Sequence, residues 1–275
     1  MNNLKGFPCI YYINLDRDIE RNEYIINQFK QYNIKKWVKI SASNFCGNEK
    51  ERWENIVLDK ENLCSPSEVG CTLSHIESIE TWLKTSKTKV AIIMEDDCDM
   101  SISKNWAFSW KDVCKNLPFD WDVIQLCMDH NEVIPFYLHP TLYESGSCSC
   151  YMINRNYAKK ILKLIKRGEK YKLTNNTCDN FCYKKSSIIE YLIYQSGKSY
   201  TIPLFTVNTD FSSNHTLKKR IHPRHEPCKN VIKNFWEKEK IFYHVKDYFL
   251  YNKKNDNDMM RFLNLKVSNK KIIYK

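Results

Sequence analysis

The sequence of this 275-residue chain predicts an α/β fold, a mixed and mostly parallel sheet flanked by helices. Apolar runs rich in β-branched and aromatic residues alternate with segments of helical periodicity. Apolar residues make up 43% of the chain, which is enough to bury a core. The first forty residues read as strand, helix and strand, so we expect parallel strands joined by a right-handed crossover.

The N-terminal unit consists of two predicted strands and the helix between them. The apolar run CIYYINL predicts the first strand, and KKWVKISA predicts the second. The segment that separates them carries apolar residues at helical spacing, at Ile19, Ile26 and Phe29. These three residues are therefore expected to face the core.

The strongest helix signal in the chain begins at Ser65. Pro66 occupies the first helical position and Glu68 lies three residues after the cap, which is the pattern of a capping box. A single apolar stripe runs along the helix, through Val69, Leu73, Ile76, Ile79 and Leu83. The wholly apolar run Val90–Met94 predicts a buried strand after it.

The second half predicts further strands and helices. Strands are expected at Trp121–Cys127 and Cys148–Asn154, followed by a basic amphipathic helix that stops at Gly168. Another helix ends at Gly197, and the strand after it contains Pro203, which favours an edge position. We expect residues 1–220 to form one α/β domain, with residues 221–275 as a basic, aromatic extension packed on it.

The formal net charge of +11 indicates anionic partners, although the basic residues are spread along the chain as on a solvated surface. A richness in Lys, Asn and Ile also fits an AT-rich genome. No apolar run reaches the roughly 18 residues that a membrane span needs, and the N-terminus lacks the pattern of a signal peptide. We therefore expect a cytoplasmic protein whose twelve cysteines are reduced and structural.

Several motifs of known chemistry are missing. The sequence has no phosphate-binding glycine loop, no G-x-S-x-G and no H-E-x-x-H. The segment HPRHEPC places His222, His225 and Cys228 at three-residue spacings, but as a zinc site it lacks a clear fourth ligand. A nucleotide kinase of the P-loop type and the common hydrolases are thus not indicated.

Four acids stand directly after the buried strand: Glu95, Asp96, Asp97 and Asp99. Ligands of open α/β sheets bind at the carboxyl ends of the strands, so this cluster marks a candidate site. In an extended backbone Glu95 and Asp97 would share one face and Asp96 the other. Two carboxylates about 4 Å apart repel by about 4 kcal/mol at a protein surface, so we expect a hard divalent cation there. A solvated acidic loop is the alternative.

Three blocks of the sequence carry a resemblance. INLDR at 13–17 with Arg21, GCTLSH at 70–75 and EDD at 95–97 resemble, in order and spacing, the conserved blocks of glycosyltransferase family 25. Weaker similarity continues through WDVI at 121–124 and SCYMI at 149–153, and then IEYLIYQSGKSYTIPLF. The resemblance covers roughly residues 8 to 215. That family includes lipooligosaccharide and collagen hydroxylysine galactosyltransferases.

The resemblance implies a GT-A-like (Rossmann-like) fold, a UDP-sugar donor and a Mn²⁺ or Mg²⁺ ion bound by a DXD-like motif. Asp97 would bind the metal, Glu95 would lie near the metal or the donor ribose, and His215 is a candidate late ligand. Asp96 would position the loop or the donor. Because the family inverts the anomeric centre, a carboxylate should deprotonate the acceptor, and the candidates are Glu190 and Asp179. The family position of Glu190 usually holds Asp.

Other candidate donor contacts follow the first two strands: Asn14, Leu15, Arg17, Ala42 and Ser43. Arg21 would pair with the diphosphate, or with an acid one helical turn away on the surface. His75 would orient a loop or touch the donor, and a satisfied structural histidine is the alternative.

The predicted function is transfer of a sugar, galactose first, from a UDP-sugar to a glycan or hydroxylysine-type hydroxyl. The alternatives are the same fold using UDP-glucose or UDP-N-acetylglucosamine, and an inactive basic module that binds an anionic polymer. No nucleic-acid partner is expected, and a homodimer is left open.

Overall fold

A computed structural model describes residues 2–43, 55–58, 65–129, 134–142, 146–173, 188–211, 225–240 and 243–249. Its centre is an eight-stranded mixed sheet, and a small hairpin lies beside it. The strands are β1 Ile10–Asn14, β2 Trp37–Ser41, β3 Val90–Glu95, β4 Cys98–Asp99, β5 Val123–Cys127, β6 His139–Pro140, β7 Cys150–Asn154, β8 Lys166–Arg167, β9 Lys170–Tyr171 and β10 Ser199–Val207. The helices are α1 Ile19–Gln31, α2 Pro66–Thr85, α3 Trp110–Asn116, α4 Arg155–Ile165, α5 Ile189–Gln195 and α6 His225–Asn234.

Five strands of the sheet run in one direction. β1 pairs in parallel with both β2 and β3, and β10 pairs in parallel with β5. β7 is inserted antiparallel between β3 and β5, which keeps β3 and β5 aligned with each other. The carboxyl ends of β1, β2, β3, β5 and β10 therefore meet at one edge of the sheet. The predicted α/β fold with a mixed, mostly parallel sheet is confirmed.

Two apolar layers cover the two faces of this sheet. One face carries α1, α3 and the segment from α6 onward, with Tyr12 and Ile92 pointing into it from the strands. The other face carries α2, α4 and α5, and receives the alternate strand residues Tyr11 and Ile93. This alternation is the two-residue period of a strand buried on both sides.

Helix α2 begins as the sequence predicts. The Ser65 side chain accepts from the backbone N–H of Glu68, and the Glu68 carboxylate accepts from the backbone N–H of Ser65. This capping box satisfies two of the donors that a helix N-terminus otherwise leaves unbonded. The predicted apolar stripe packs against the sheet, with Leu83 at its margin.

The core face of α1 includes Phe29, as predicted, but not Ile19. Ile25 and Phe29, four residues apart, are fully buried, whereas Ile19 is 66% exposed and Ile26 only flanks the core. Ile19 lies in the first turn of the helix and is not part of the apolar layer. Buried Gln28 shares the core face of α1 and makes polar contacts described below.

Two other predictions about turns and edges are wrong. Helix α4 ends at Ile165, and Gly168 adopts a left-handed φ of 61° in the turn of the β8–β9 hairpin. Pro203 lies inside β10, which has partners on both sides. The proline is tolerated because the register with β5 shifts between Thr201 and Phe205, where no ladder N–H is required.

The segment after residue 224 is part of the core where the structure describes it. Cys228, Ile232, Phe235 and Trp236 are buried in the layer that also contains α1. The Trp236 indole donates to the carbonyl oxygen of Pro203 at 2.9 Å, so it satisfies a strand acceptor at the β10 irregularity. The described part of the predicted extension, 225–240 and 243–249, therefore packs on the sheet.

Within the described residues all eight cysteines are free thiols, and most are buried as expected for small apolar side chains. No helix in that part of the chain is long and apolar enough to cross a membrane.

Candidate active site

The acidic residues lie at the carboxyl edge of the sheet, as the sequence predicts. β3 ends at Glu95, and Asp96 and Asp97 form a turn before β4. The expected alternation of side chains therefore stops at Glu95. Instead of pointing to opposite faces, the carboxylates of Asp96 and Asp97 both bind the guanidinium of Arg21.

Arg21 links α1 to the acidic turn. Its Nε donates to Asp96 Oδ1 at 2.6 Å, and its Nη2 donates to Asp97 Oδ2 at 2.6 Å. The Arg21 side chain is only 12% exposed, so the alternative of a surface pair with a helical neighbour is wrong. Burial alone would lower the pKa of Arg21, but the Asp97 and Asp96 carboxylates outweigh it and raise that pKa. Arg21 thus supplies part of the positive charge that the repulsion between the acids requires.

The buried carboxyls hold their protons more tightly than free ones. Burial raises the pKa of Asp96 to about 7, against the opposing effect of Arg21. Burial also raises the pKa of Asp97, again opposed by Arg21. One guanidinium therefore does not fully compensate the desolvation of two carboxylates.

Asp97 retains an oxygen that suits a metal ion. Its Oδ1 is buried and has no hydrogen-bond partner among the residues that the structure describes. A buried carboxylate oxygen without a donor is costly, and a hard divalent cation is its ordinary partner in proteins. The residues present therefore fit the metal that the family resemblance implies.

His225 is the functional candidate that the sequence pattern did not single out for this site. It lies at the start of α6, close enough to Asp97 to lower the pKa of that carboxyl. Its Nε2 is 3.5 Å from Oδ2 of Asp129, which follows β5 at the same sheet edge. Cys228 instead donates to the carbonyl of Met128, and His222 lies outside the described residues. The sequence marks His225 only as part of the segment HPRHEPC, which resembles an incomplete zinc site and gives no link to the acidic turn.

The Gln28 side chain bonds to the backbone that directly follows the acidic turn. Its Nε2 donates to the carbonyl of Cys98 at 2.8 Å, and its Oε1 accepts from the N–H of Met100 at 2.7 Å. The backbone N–H of Asn208, after β10, donates to the carbonyl of Asp97 at 2.7 Å. No sequence motif marks Gln28 or Asn208, because both act through backbone contacts that only the fold creates.

Glu95 points toward α2, away from Arg21. Its Oε1 lies 3.1 Å from Nε2 of His75 and 3.8 Å from Sγ of Cys71. The His75 side chain is completely buried, and its Nδ1 lies 3.2 Å from the hydroxyl of Tyr151. This placement fits a histidine that orients Glu95 better than one that touches a donor.

The predicted donor-side residues end β1 and β2 side by side. The Asn14 amide donates to Asp96 Oδ2 at 2.7 Å, and its Oδ1 is buried without a partner among the described residues. The N–H of Ala42 donates to the Asn14 carbonyl, and the N–H of Ser43 donates to the Ser74 hydroxyl. Leu15 follows Asn14 directly, whereas Arg17 is exposed beyond it.

Of the candidate bases, only Glu190 lies in the described residues. Glu190 lies in the first turn of α5, which packs on α2. Burial raises the pKa of the Cys71 thiol well above its ordinary value, and the nearby charges of Glu95 and Glu190 add to that effect. Glu190 is therefore brought to the same side of the acidic edge as Glu95. Asp179 and His215 lie outside the described residues.

A mixed sheet with helices on both faces and an acidic carboxyl edge defines the class of this protein, a GT-A-like α/β fold. Residues 7–179, more than half of the chain, match the family described as glycosyltransferase family 25 (LPS biosynthesis protein). The chain belongs to glycosyltransferase family 25 and is a glycosyltransferase. No curated protein sequence matches it significantly.

Similar solved structures are distant. A197 from STIV is 8% identical, with coverage of 73% of this chain and 84% of that one and a TM-score of 0.39. A glycosyltransferase involved in the glycosylation of the major capsid of PBCV-1 is 10% identical, with coverage of 71% and 82% and a TM-score of 0.37. The inositol-1-phosphate CTP transferase from T. maritima is 9% identical, with coverage of 85% and 98% and a TM-score of 0.38.

Proposed function

We propose that this glycosyltransferase is metal-dependent and inverting, and that it transfers a sugar from a UDP-sugar to an acceptor hydroxyl. Galactose is the first candidate sugar, and a glycan or a hydroxylysine-type side chain is the acceptor. The observation that carries the proposal is the buried Asp97 Oδ1, unpartnered among the described residues, at the carboxyl edge of a family 25 sheet. UDP-glucose and UDP-N-acetylglucosamine are the alternative donors.

Asp97 would bind a Mn²⁺ or Mg²⁺ ion, and His225, which lies near Asp97, is a further candidate ligand in its neutral form. His215 remains a candidate ligand from the sequence. When bound, the ion supplies Lewis-acid stabilisation of the charge that develops on the leaving diphosphate. Arg21 would keep Asp96 and Asp97 in position through its two contacts.

Three sets of residues would bind and orient the donor and acceptor. Asn14 and the backbone after β1 and β2 border the surface where the nucleotide would lie, with Leu15, Arg17, Ala42 and Ser43 alongside. Glu95 would face the ribose or the metal. Glu190 would take the proton of the acceptor hydroxyl as general base, with Asp179 as the second candidate.

The test is a donor screen with the purified chain and Mn²⁺, scored by released UDP. We expect one UDP-sugar to be turned over, and Asp97→Asn to reduce the rate at least a hundredfold, about 3 kcal/mol of transition-state stabilisation. The melting temperature should not fall, because Asp96 still pairs with Arg21 and burial already disfavours the charged form of Asp97. Asp120→Asn is the matched control, since Asp120 pairs with Lys198 before β5 and β10, at the opposite sheet edge.

Absence of turnover with every common UDP-sugar would contradict the proposal. If, in addition, an anionic polymer bound with a steep salt dependence, the chain would act as the basic binding module that its +11 charge allows.

A further inference from the structure

A cluster of metal-binding side chain types lies beside the acidic turn, on the opposite side of β3 from Arg21. Cys71 and His75 stand four residues apart on α2, so they share one helical face, and Glu95 reaches them from the end of β3. The Cys71 sulfur, a His75 nitrogen and a Glu95 oxygen all lie within 4.8 Å of one another. The proposed transfer reaction uses Glu95, oriented by His75, but gives no role to Cys71.

The separations suit a small tetrahedral ion. Zinc bound at about 2.3 Å to sulfur and about 2.1 Å to nitrogen and oxygen places those atoms roughly 3.4 to 3.6 Å apart. The observed distances are 3.1 Å from His75 Nε2 to Glu95 Oε1 and 3.8 Å from Cys71 Sγ to the same oxygen. Shifts of a few tenths of an ångström would bring these two pairs to zinc geometry, and the Cys71 sulfur and the His75 nitrogen lie within 4.8 Å of each other.

Tyr151 contacts the His75 ring on the side that faces away from Glu95. Nδ1 of His75 faces the hydroxyl of buried Tyr151 at 3.2 Å, and the two rings stack. A metal-bound histidine usually donates its other N–H to such a group, which fixes the tautomer and the ring orientation. Here the Tyr151 hydroxyl can accept from Nδ1–H and leave the lone pair of Nε2 for a metal.

We propose that Cys71, His75 and Glu95 bind one Zn²⁺ ion, at a site that shares Glu95 with the donor surface and does not include Asp97. A thiolate, an imidazole and a carboxylate select a borderline-soft ion such as zinc, whereas an all-oxygen site prefers Mn²⁺ or Mg²⁺. The thiolate and the carboxylate together neutralise the two charges of the ion. Three protein ligands leave a fourth position for water, and Glu95, 22% exposed, connects the site to the solvent.

The test is a titration of the chelator-stripped, full-length protein with Co²⁺ as a spectroscopic substitute for zinc. We expect a thiolate-to-cobalt charge-transfer absorption in the near ultraviolet, together with the strong visible bands of tetrahedral cobalt. Cys71→Ser should abolish the charge-transfer absorption, while Cys114→Ser, which alters an exposed cysteine on α3, should leave it unchanged. Tyr151→Phe should keep the absorption and weaken Co²⁺ binding about tenfold or more.

An absent charge-transfer band in the wild type, or one that survives in Cys71→Ser, would overturn the proposal. The inference does not rest on the transferase reaction. Asp97→Asn should abolish UDP release and retain the cobalt spectrum, and Cys71→Ser should lose that spectrum whichever sugar donor is used. Failure of one proposal is thus distinguishable from failure of the other.

Discussion

Arg21, on helix α1, supplies positive charge to the acidic residues at the carboxyl edge of the sheet. Arg21 binds the carboxylates of Asp96 and Asp97, which lie 75 and 76 residues further along the chain. Its guanidinium also lies over the ring of Phe211. Removing one partner from a buried charge group leaves the others uncompensated, which is far more costly than losing a surface pair. Arg21 and the proposed metal ion would therefore both compensate the charge of Asp97.

Arg21→Met is expected to lower the free energy of unfolding by about 3 kcal/mol without metal. Mn²⁺ should restore more stability to the variant than to the wild type, because Asp96 and Asp97 have then lost the guanidinium that pairs with them. Urea unfolding with and without Mn²⁺ measures both effects. Arg17→Met is the control: its side chain is 54% exposed, and the change should stay within about 0.5 kcal/mol. Equal Mn²⁺ responses in variant and wild type would contradict the shared role.

The raised pKa of Asp96 predicts a pH dependence of metal-free stability. Burial lifts this pKa from 3.8 to about 7 in the folded state, so the folded protein binds the proton more tightly than the unfolded chain. The stability from that proton is complete below pH 3.8 and is lost as the pH rises through 7. Between pH 5 and pH 8 the wild type should lose stability relative to Asp96→Asn. Parallel unfolding free energies of the two proteins across this range would rule the effect out.

At the scale of single residues, the sequence predicts where the acidic residues lie but not which side chains contact them. The position of Glu95, Asp96 and Asp97 follows from a local rule, that strand ends carry ligand sites. The contacts of Arg21, Gln28 and His225 depend on which elements become neighbours across more than 60 residues, and no spacing rule encodes that.

At the scale of secondary-structure elements, local sequence patterns predict the start of α2 but not the position of β10 in the sheet. The capping box of α2 is formed by residues three apart, so the sequence alone predicts the start of the helix. The surroundings of Pro203 depend on β4, β5 and β6, which are distant in sequence, and the expected edge position is wrong. Strand order is a property of the whole sheet.

Gly197 is the element-scale position where a side chain cannot fit. It follows α5, where a Cβ atom would collide with the ring of Tyr157 and lie 2.7 Å from Oδ2 of Asp122. The Tyr157 ring cannot easily move, because its hydroxyl donates to the carbonyl of Ile193 at 2.7 Å. The glycine thus allows α5 and α4 to approach each other closely.

Gly197→Ala is expected to reduce the free energy of unfolding by about 1 to 3 kcal/mol through overpacking. Gly146→Ala is the matched control, since its added Cβ would meet only the Asp129 carbonyl at an ordinary 3.5 Å. Chemical denaturation of both variants measures the difference. If Gly197→Ala were as stable as Gly146→Ala, the contact between α4 and α5 would be more adaptable than the packing indicates.

For the whole molecule, the central question is whether residues 225–249 are an extension or part of one cooperative unit. The segment contributes Phe235, Trp236 and Tyr248 to the core layer under α1 and β10. The Trp236 indole is fully buried, packs edge-on against Phe108 and donates to the Pro203 carbonyl. Such packing couples the segment to the sheet, and His225, at its start, to the acidic edge.

Trp236→Ala should therefore lower the free energy of unfolding of the entire chain by about 3 to 5 kcal/mol, because it opens a large cavity and leaves the Pro203 carbonyl without its donor. Trp236→Phe keeps most of the ring packing and should cost roughly 1 to 2 kcal/mol. Val231→Ala, at a position that is 48% exposed, should cost little. Calorimetry should show one transition that shifts as a unit. A second, separate transition affected by Trp236→Ala, with the main one unchanged, would instead define the segment as an independent module.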